Sequence, residues 1–587
     1  MPPIFRVDTT NNRPALEIGQ ELGAKILAQE PEFAAMVDTF LSDTMDMVAS
    51  AYNSYFDTSF DAQSLFNDMF NNPGASDRVP DFVADMKSEN KISQKYLDEV
   101  QGMASFLGLS DIDALGDGLL SENEFWLYQM NMDVLIAASC SGFGVYGNYS
   151  AIGSPIVGRN LDLPYVTTDT IKMQSITVYE GDNHSFANVG FMGMVGTITG
   201  IRSDGLFGAI IGANLFGKPV QETGRHSLIF DMRYALENLN EIGVQEGATG
   251  IHPYTRDHIY YFSHSLLLAD TSQVIIQEHP CGKTIEAGDP LPARLRGWEA
   301  DQYPTTVSWG NKRNMVAVTT RFVLPPMLPY QCEDCPSECY KGSFAVAGMA
   351  KYSYYSLDHS CDAPLNNTCY DYSENGEDEC QDAGPKTNCW EYCNRSTDED
   401  AGDFWPGTPN LSFFNENFDR NGYYPIGASE QGGATAEKWD RFYQLANFTP
   451  NTQTDPNRAA SYADVAAIMT DTQDTYDPIL AYGTGIVYAL ATIQSMVYSP
   501  VEGRFFLYTI PSAWGHAESP YMEEISLFNP MTGDINGSGL LELEDAILCL
   551  QAVAGGNTQN VEKNGIDEKL DMETALYVLQ KKAELRY

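Results

Sequence analysis

Ala137-Ala-Ser-Cys-Ser-Gly-Phe-Gly144 and, a few residues on, Gly153-Ser-Pro-Ile-Val-Gly-Arg-Asn-Leu-Asp-Leu-Pro164 decide how this 587-residue chain is read. A helical texture ends at a lone cysteine, Cys140, and short glycine-punctuated apolar runs take over. Upstream, Leu16, Ile18, Leu22, Ile26 and Leu27 form a helix-spaced apolar stripe. Similar spacing near 31–56, 92–108 and 121–138 makes residues 14–139 read as helical. Downstream, β-like runs fall at 152–163, 172–179, 189–201 and 205–214. Helical patterns return at 227–240 and 255–270, and strand patterns at 272–278 and 314–323. Further helices are expected at 436–446 and 461–471, and two strands at 484–499 and 503–510. Strands and helices alternating in this way imply layered α/β packing.

The residues around Cys140 also carry chemistry. A thiolate is a strong nucleophile but needs a base and a reason to ionise. If the Ser139–Cys140 bond is cut, Cys140 gains a free α-amine with a pKa of about 7.7–8.0, able to take the thiol proton within the same residue. No histidine is then required, and the chain has only 8, none near Cys140. Arg159 would supply a fixed positive charge favouring thiolate. Asp162 would hold the new α-ammonium.

Cys140 followed by Gly158-Arg-Asn-Leu-Asp162 resembles the N-terminal-nucleophile hydrolases of the cholylglycine hydrolase, acid ceramidase and isopenicillin N acyltransferase group. The resemblance covers roughly residues 14–325 and 436–520 and is most specific at 137–163. It implies a four-layer αββα sandwich (α/β in the wide sense, α+β), with 1–139 as a helical propeptide and 140–527 as the catalytic domain. Asp204-Gly-Leu-Phe-Gly-Ala-Ile-Ile-Gly-Ala-Asn214 looks like the family's following strand pair, which implies an oxyanion-hole role for Asn214. Ile18-Gly-Gln-Glu-Leu-Gly23 resembles the propeptide of the acyltransferase-like branch. Thr320, in Val316-Ala-Val-Thr-Thr-Arg-Phe322, stands where the family carries Asn. Arg441, in Trp439-Asp-Arg-Phe442, resembles the family's second Arg. The implied activity is hydrolysis or acyl transfer of a small non-peptide N-acyl amide through a Cys140 thioester, with no cofactor for catalysis. The Thr320 departure motivates the alternative of a non-catalytic, calcium-stabilised binding or scaffold protein on the same fold. A phospholipase B-like lipid hydrolase is a further alternative.

Composition narrows the class. With 34 Lys+Arg against 80 Asp+Glu, the formal charge is −46, which disfavours nucleic acid and anionic membranes as partners. A hydrophobic fraction of 43% is enough to bury a core. No run reads as transmembrane, and Met1-Pro-Pro-Ile-Phe-Arg is not a signal peptide. Eight of the 11 Cys fall within the insertion at 330–430: Cys332, Cys335, Cys339, Cys361, Cys369, Cys380, Cys389 and Cys393. Four local disulfides are expected there, and so a secreted or otherwise oxidising compartment; a zinc site at Cys332 and Cys335 is the alternative.

A small module is expected at 528–587. Asp534-Ile-Asn-Gly-Ser-Gly-Leu-Leu-Glu-Leu-Glu-Asp545 has the spacing of an EF-hand loop. Asp534, Asn536 and Ser538 stand at loop positions 1, 3 and 5, and the Leu540 carbonyl, Glu542 and Asp545 at 7, 9 and 12. Gly539 takes the sharp turn. A helix follows, and Thr574-Ala-Leu-Tyr-Val-Leu-Gln echoes it, so the module is similar to a dockerin. That resemblance implies structural calcium and a cohesin-like protein partner.

Overall fold

The computed structural model describes residues 2–56, 61–71, 91–134, 139–163, 168–212, 226–244, 248–258, 260, 264–279, 293–296, 314–318, 370–373, 376–379, 459–471, 492–510 and 521–528, with Ile547 and Leu550. In chain order the principal elements begin with β1 (Ile4–Asp8), α1 (Ala15–Gln29), α2 (Phe33–Phe56), α3 (Ala62–Asn71), α4 (Gln94–Leu107), α5 (Glu122–Gln129) and α6 (Asn131–Val134). Next come β2 (Ser139–Val145), β3 (Ile156–Asp162), α7 (Thr168–Lys172), β4 (Gln174–Glu180), β5 (Phe186–Phe191), β6 (Thr199–Arg202) and β7 (Phe207–Gly212). α8 (Leu228–Asn238), α9 (Ile251–Arg256), β8 (His264–Ala269), β9 (Val274–His279), β10 (Arg294–Arg296) and β11 (Met315–Val318) follow. The hairpin β12 (Tyr370–Ser373) and β13 (Gly376–Glu379), α10 (Tyr462–Met469), β14 (Thr492–Tyr498), β15 (Phe505–Thr509) and β16 (Glu523–Ile525) complete the set.

Two sheets carry the fold. One is eight-stranded, in the order β1-β4-β5-β6-β7-β8-β9-β10; the other is six-stranded, in the order β11-β2-β3-β14-β15-β16. They pack face to face through small residues. A methyl placed on Gly142 would meet Leu267 of β8 at 2.5 Å, and one on Gly144 would meet Val274 of β9 at 2.6 Å. The alternation Cys140-x-Gly142-x-Gly144 therefore leaves one face of β2 thin enough for the opposing sheet to close on it. Helices cover the outer faces. Ile229 and Met232 of α8 lie against Gly196 and Gly208 beside the larger sheet, while Val465 and Met469 of α10 lie against Gly158 of the smaller. The order is helix, sheet, sheet, helix, in line with the expected layering.

The stretch before Cys140 is helical but not only helical. β1 pairs in parallel with β4, Ile4 opposite Ile176 through Asp8 opposite Glu180, so the N-terminal residues extend the large sheet. The expectation of a helix over 255–270 is corrected. α9 ends at Arg256 and His264–Ala269 is strand β8. Every residue of β8 is buried, and a strand covered on both faces loses the alternation that marks it in sequence. Among the described residues no helix is long and apolar enough to cross a membrane.

Candidate active site

β2 and β3 pair antiparallel, with Ser139 opposite Asp162, Cys140 opposite Leu161 and Gly142 opposite Arg159. Residues directly opposite share a face, so Cys140 and Arg159 both point between the sheets. Arg159 Nη2 lies 3.4 Å from Cys140 Sγ and donates to the Ile210 carbonyl of β7 at 3.3 Å. Both side chains are buried, Cys140 at 1% and Arg159 at 0% exposure. Burial pushes the Arg159 guanidinium below its ordinary value, while the neighbouring Cys140 and Asp162 charges pull it back up. Its Nε and Nη1 are also buried and make no hydrogen bond among the described residues. A guanidinium stays charged in proteins, so two buried donor nitrogens are left without a partner among the described residues.

Asp162 takes another position. Alternation places it with Asn160 on the opposite strand face from Arg159, directly across from Ser139. Thr492 of β14 donates its hydroxyl to Asp162 Oδ1, and the residue is 1% exposed. Asp162 thus lies on the strand face of Ser139, opposite the face that carries Cys140 and Arg159. Asn160 is a structural pin. Its Nδ2 donates to the Met469 carbonyl at the end of α10, and its Oδ1 accepts from Ser495 Oγ of β14.

Of the residues expected to act, the fold brings Arg159 to Cys140 and sets Asp162 opposite Ser139, the expected cleavage position. Asn214, Thr320 and Arg441 lie outside the described residues. The calcium loop (Asp534, Asn536, Ser538, Leu540, Glu542, Asp545) also lies outside them, as do the eight clustered cysteines. Cys140 is the one cysteine among the described residues, and it is buried.

A second constellation was not legible in the sequence. His226, Asp231 and His258 converge beside α8, with donor atoms within 4.8 Å of one another. They belong to no short motif, and meet only because α8 and α9 fold back over the large sheet.

No family model matches the chain, and no curated protein matches it. Solved structures similar to it include the Caenorhabditis elegans N-acylethanolamine-hydrolyzing acid amidase ortholog, at 14% identity and a TM-score of 0.20, covering 31% of this chain and 70% of that one. A cysteine-to-alanine mutant of conjugated bile acid hydrolase from Clostridium perfringens is similar at 12% identity and a TM-score of 0.26, covering 66% of this chain and 92% of that one. An arginine-to-leucine variant of the same hydrolase gives 12% identity and a TM-score of 0.27 over the same shares. Likenesses this faint carry no weight for function.

Proposed function

We propose that the chain is a self-cleaving cysteine amide hydrolase acting on a non-peptide N-acyl amide. The observation that supports this most is the contact at 3.4 Å between the buried Arg159 guanidinium and Cys140 Sγ. Among the described residues no carboxylate pairs with this buried cation, and a buried charge is costly, so it favours whatever anion can form beside it, the sulfur being the nearest candidate. In the first step the Cys140 thiolate attacks the Ser139 carbonyl carbon. The Ser139–Cys140 C–N bond breaks, a thioester to Ser139 forms, and the nitrogen leaves as the Cys140 α-amine with a proton. Water then hydrolyses the thioester to a Ser139 carboxylate and a free thiol.

The same residue is then an N-terminal nucleophile. Its α-amine takes the thiol proton, and Asp162, across from Ser139, would accept a hydrogen bond from the ammonium. Attack on R–CO–NH–R′ gives an acyl thioester on Cys140 and releases the amine, which takes the proton. Water completes the hydrolysis. Nε and Nη1 of Arg159, without a partner among the described residues, would hold a carbonyl or carboxylate oxygen of the substrate.

Intact mass and N-terminal sequencing of the purified full chain test the first step. A new N-terminus at Cys140, absent in Cys140→Ala, is the expected result. A wild-type chain that stays whole through prolonged incubation from acidic to alkaline buffers would refute it. For the second step, the cleaved protein should release amine from at least one of a panel of N-acyl amides. A panel without turnover would remove the hydrolase reading while leaving self-cleavage standing.

A further inference from the structure

Five of the chain's eight histidines (His226, His252, His258, His264 and His279) fall between residues 226 and 279. The register puts His264 opposite His279 on β8 and β9, on the face away from Leu267 and Val274, which look toward β2. The sheet therefore separates these histidines from the Cys140 side. On that outer side His226, one residue before the Ser227 cap of α8, stacks on His258, just beyond α9. Their ring centroids are 3.7 Å apart and the planes 15° from parallel. Both rings turn Nδ1 toward the buried Asp231 in the first turns of α8. His258 Nδ1 is 2.7 Å and His226 Nδ1 3.2 Å from the same oxygen, Oδ2.

Hydrogen bonding alone accounts poorly for this arrangement. Tyr260 already donates to Oδ2 at 3.0 Å, and Tyr254 donates to Oδ1 at 3.0 Å. Oδ2 thus faces three donor groups with two lone pairs to offer. His226 Nδ1 is buried and makes no hydrogen bond among the described residues. One cation drawn to two imidazole nitrogens and one carboxylate oxygen answers both difficulties.

We propose that His226, Asp231 and His258 bind a divalent first-row transition-metal ion, for which zinc is the best fit. Two imidazoles and a carboxylate form a zinc-type donor set, whereas calcium and magnesium take oxygen ligands. The outer contacts are those of a built site. Tyr254 and Tyr260 hold the carboxylate from both sides, and His279 Nε2 contacts the His258 carbonyl oxygen at 3.0 Å. The ion would tie the start of α8 to the segment after α9, a structural clasp independent of the chemistry assigned to Cys140.

The test uses the full chain, stripped with chelator and titrated with Co²⁺, then with Zn²⁺ as competitor. One equivalent of Co²⁺ with visible d–d absorption, displaced by Zn²⁺ and unchanged in Cys140→Ala, is expected. This absorption should vanish in His226→Ala and His258→Gln. Tyr260→Phe, which leaves all three ligands in place, should weaken binding about 10–100-fold. Circular dichroism checks that each variant is folded. The proposal is overturned by a folded His258→Gln chain that keeps the same absorption, by a spectrum made up only of thiolate-to-cobalt charge-transfer bands, or by no binding to the wild type.

Discussion

Arg159 carries a full charge into a space where, among the described residues, it meets one sulfur and one carbonyl oxygen. Two roles can be separated there. As a charge it would favour thiolate; as a planar fork it would orient a substrate oxygen with Nε and Nη1. Arg159→Met removes both, so the thiol limb of the pH–rate profile should move to higher pH and turnover should nearly vanish. Arg159→Lys keeps the charge and loses the fork. That limb should stay in place while kcat falls roughly 10²–10³-fold, as when one oxyanion donor is lost. Equal displacement of the limb in both variants would show that charge alone does not set it, and an Arg159→Lys chain with unchanged kcat would show that the fork contributes nothing. The motif Arg-Asn-x-Asp was legible as a unit, but not its division of labour. Strand alternation sends Arg159 inward, and Asn160 to the end of α10. The histidine cluster was illegible for a different reason: proximity made by chain reversal leaves no spacing to read.

At the scale of elements, glycine decides what can touch. α1 and α4 cross so closely that a methyl on Gly19 would come within 1.9 Å of the Glu99 carbonyl oxygen, and one on Gly102 within 2.1 Å of the Leu16 carbonyl oxygen. Each contact is with backbone, which cannot swing aside. Gly19→Ala raises helix propensity, yet it should destabilise the protein by about 1–3 kcal/mol through overpacking. A lower urea midpoint with unchanged slope would show it; a raised midpoint would mean that the helices separate at no cost. The apolar stripe of α1 was readable at Ile18, Leu22 and Ile26, because solvent on one side leaves a 3.6-residue period, although Leu16, read into it, is exposed. So were α8 and the paired strands β14 and β15. β8 was misread as helix because it is buried on both faces and has no period to display. β1 went unnoticed because a five-residue edge strand gains its stability from β4, far along the chain.

For the whole molecule, the charge of −46 hides how the rare cations are spent. Arg159, Arg202 and Arg233 are among the largest fully buried side chains. Arg233 on α8 binds Glu237 and Glu99 of α4, joining the helices that precede Cys140 to the layer over the large sheet. Burial alone would raise Glu237, but Arg233 and Lys95 more than offset it and hold the carboxyl down at about 2. Glu124 and Asp133 go the other way, each raised by burial to about 7. Burial outweighs the local hydrogen bonds in both: Glu124 Oε1 is buried without a partner among the described residues, and Asp133 is raised even though Ser227 and the Leu228 amide donate to it. The signs follow from linkage. Glu237 stabilises the fold above its ordinary 4.5, and that contribution is lost as pH falls toward about 2. Glu124 and Asp133 favour the fold when protonated, fully so below their ordinary 4.5 and 3.8, and the benefit is lost as pH rises through about 7. Stability should therefore peak on the acid side of neutrality, with a higher melting temperature at about pH 5.5 than at about pH 8. In Asp133→Asn the decline toward alkaline pH should be shallower, since a neutral amide has no proton to lose. Thermal melts of the wild type and this variant across the two buffers decide it. A wild type more stable at the alkaline value, or a variant with an undiminished slope, would show that these carboxyls do not govern the fold's response to pH.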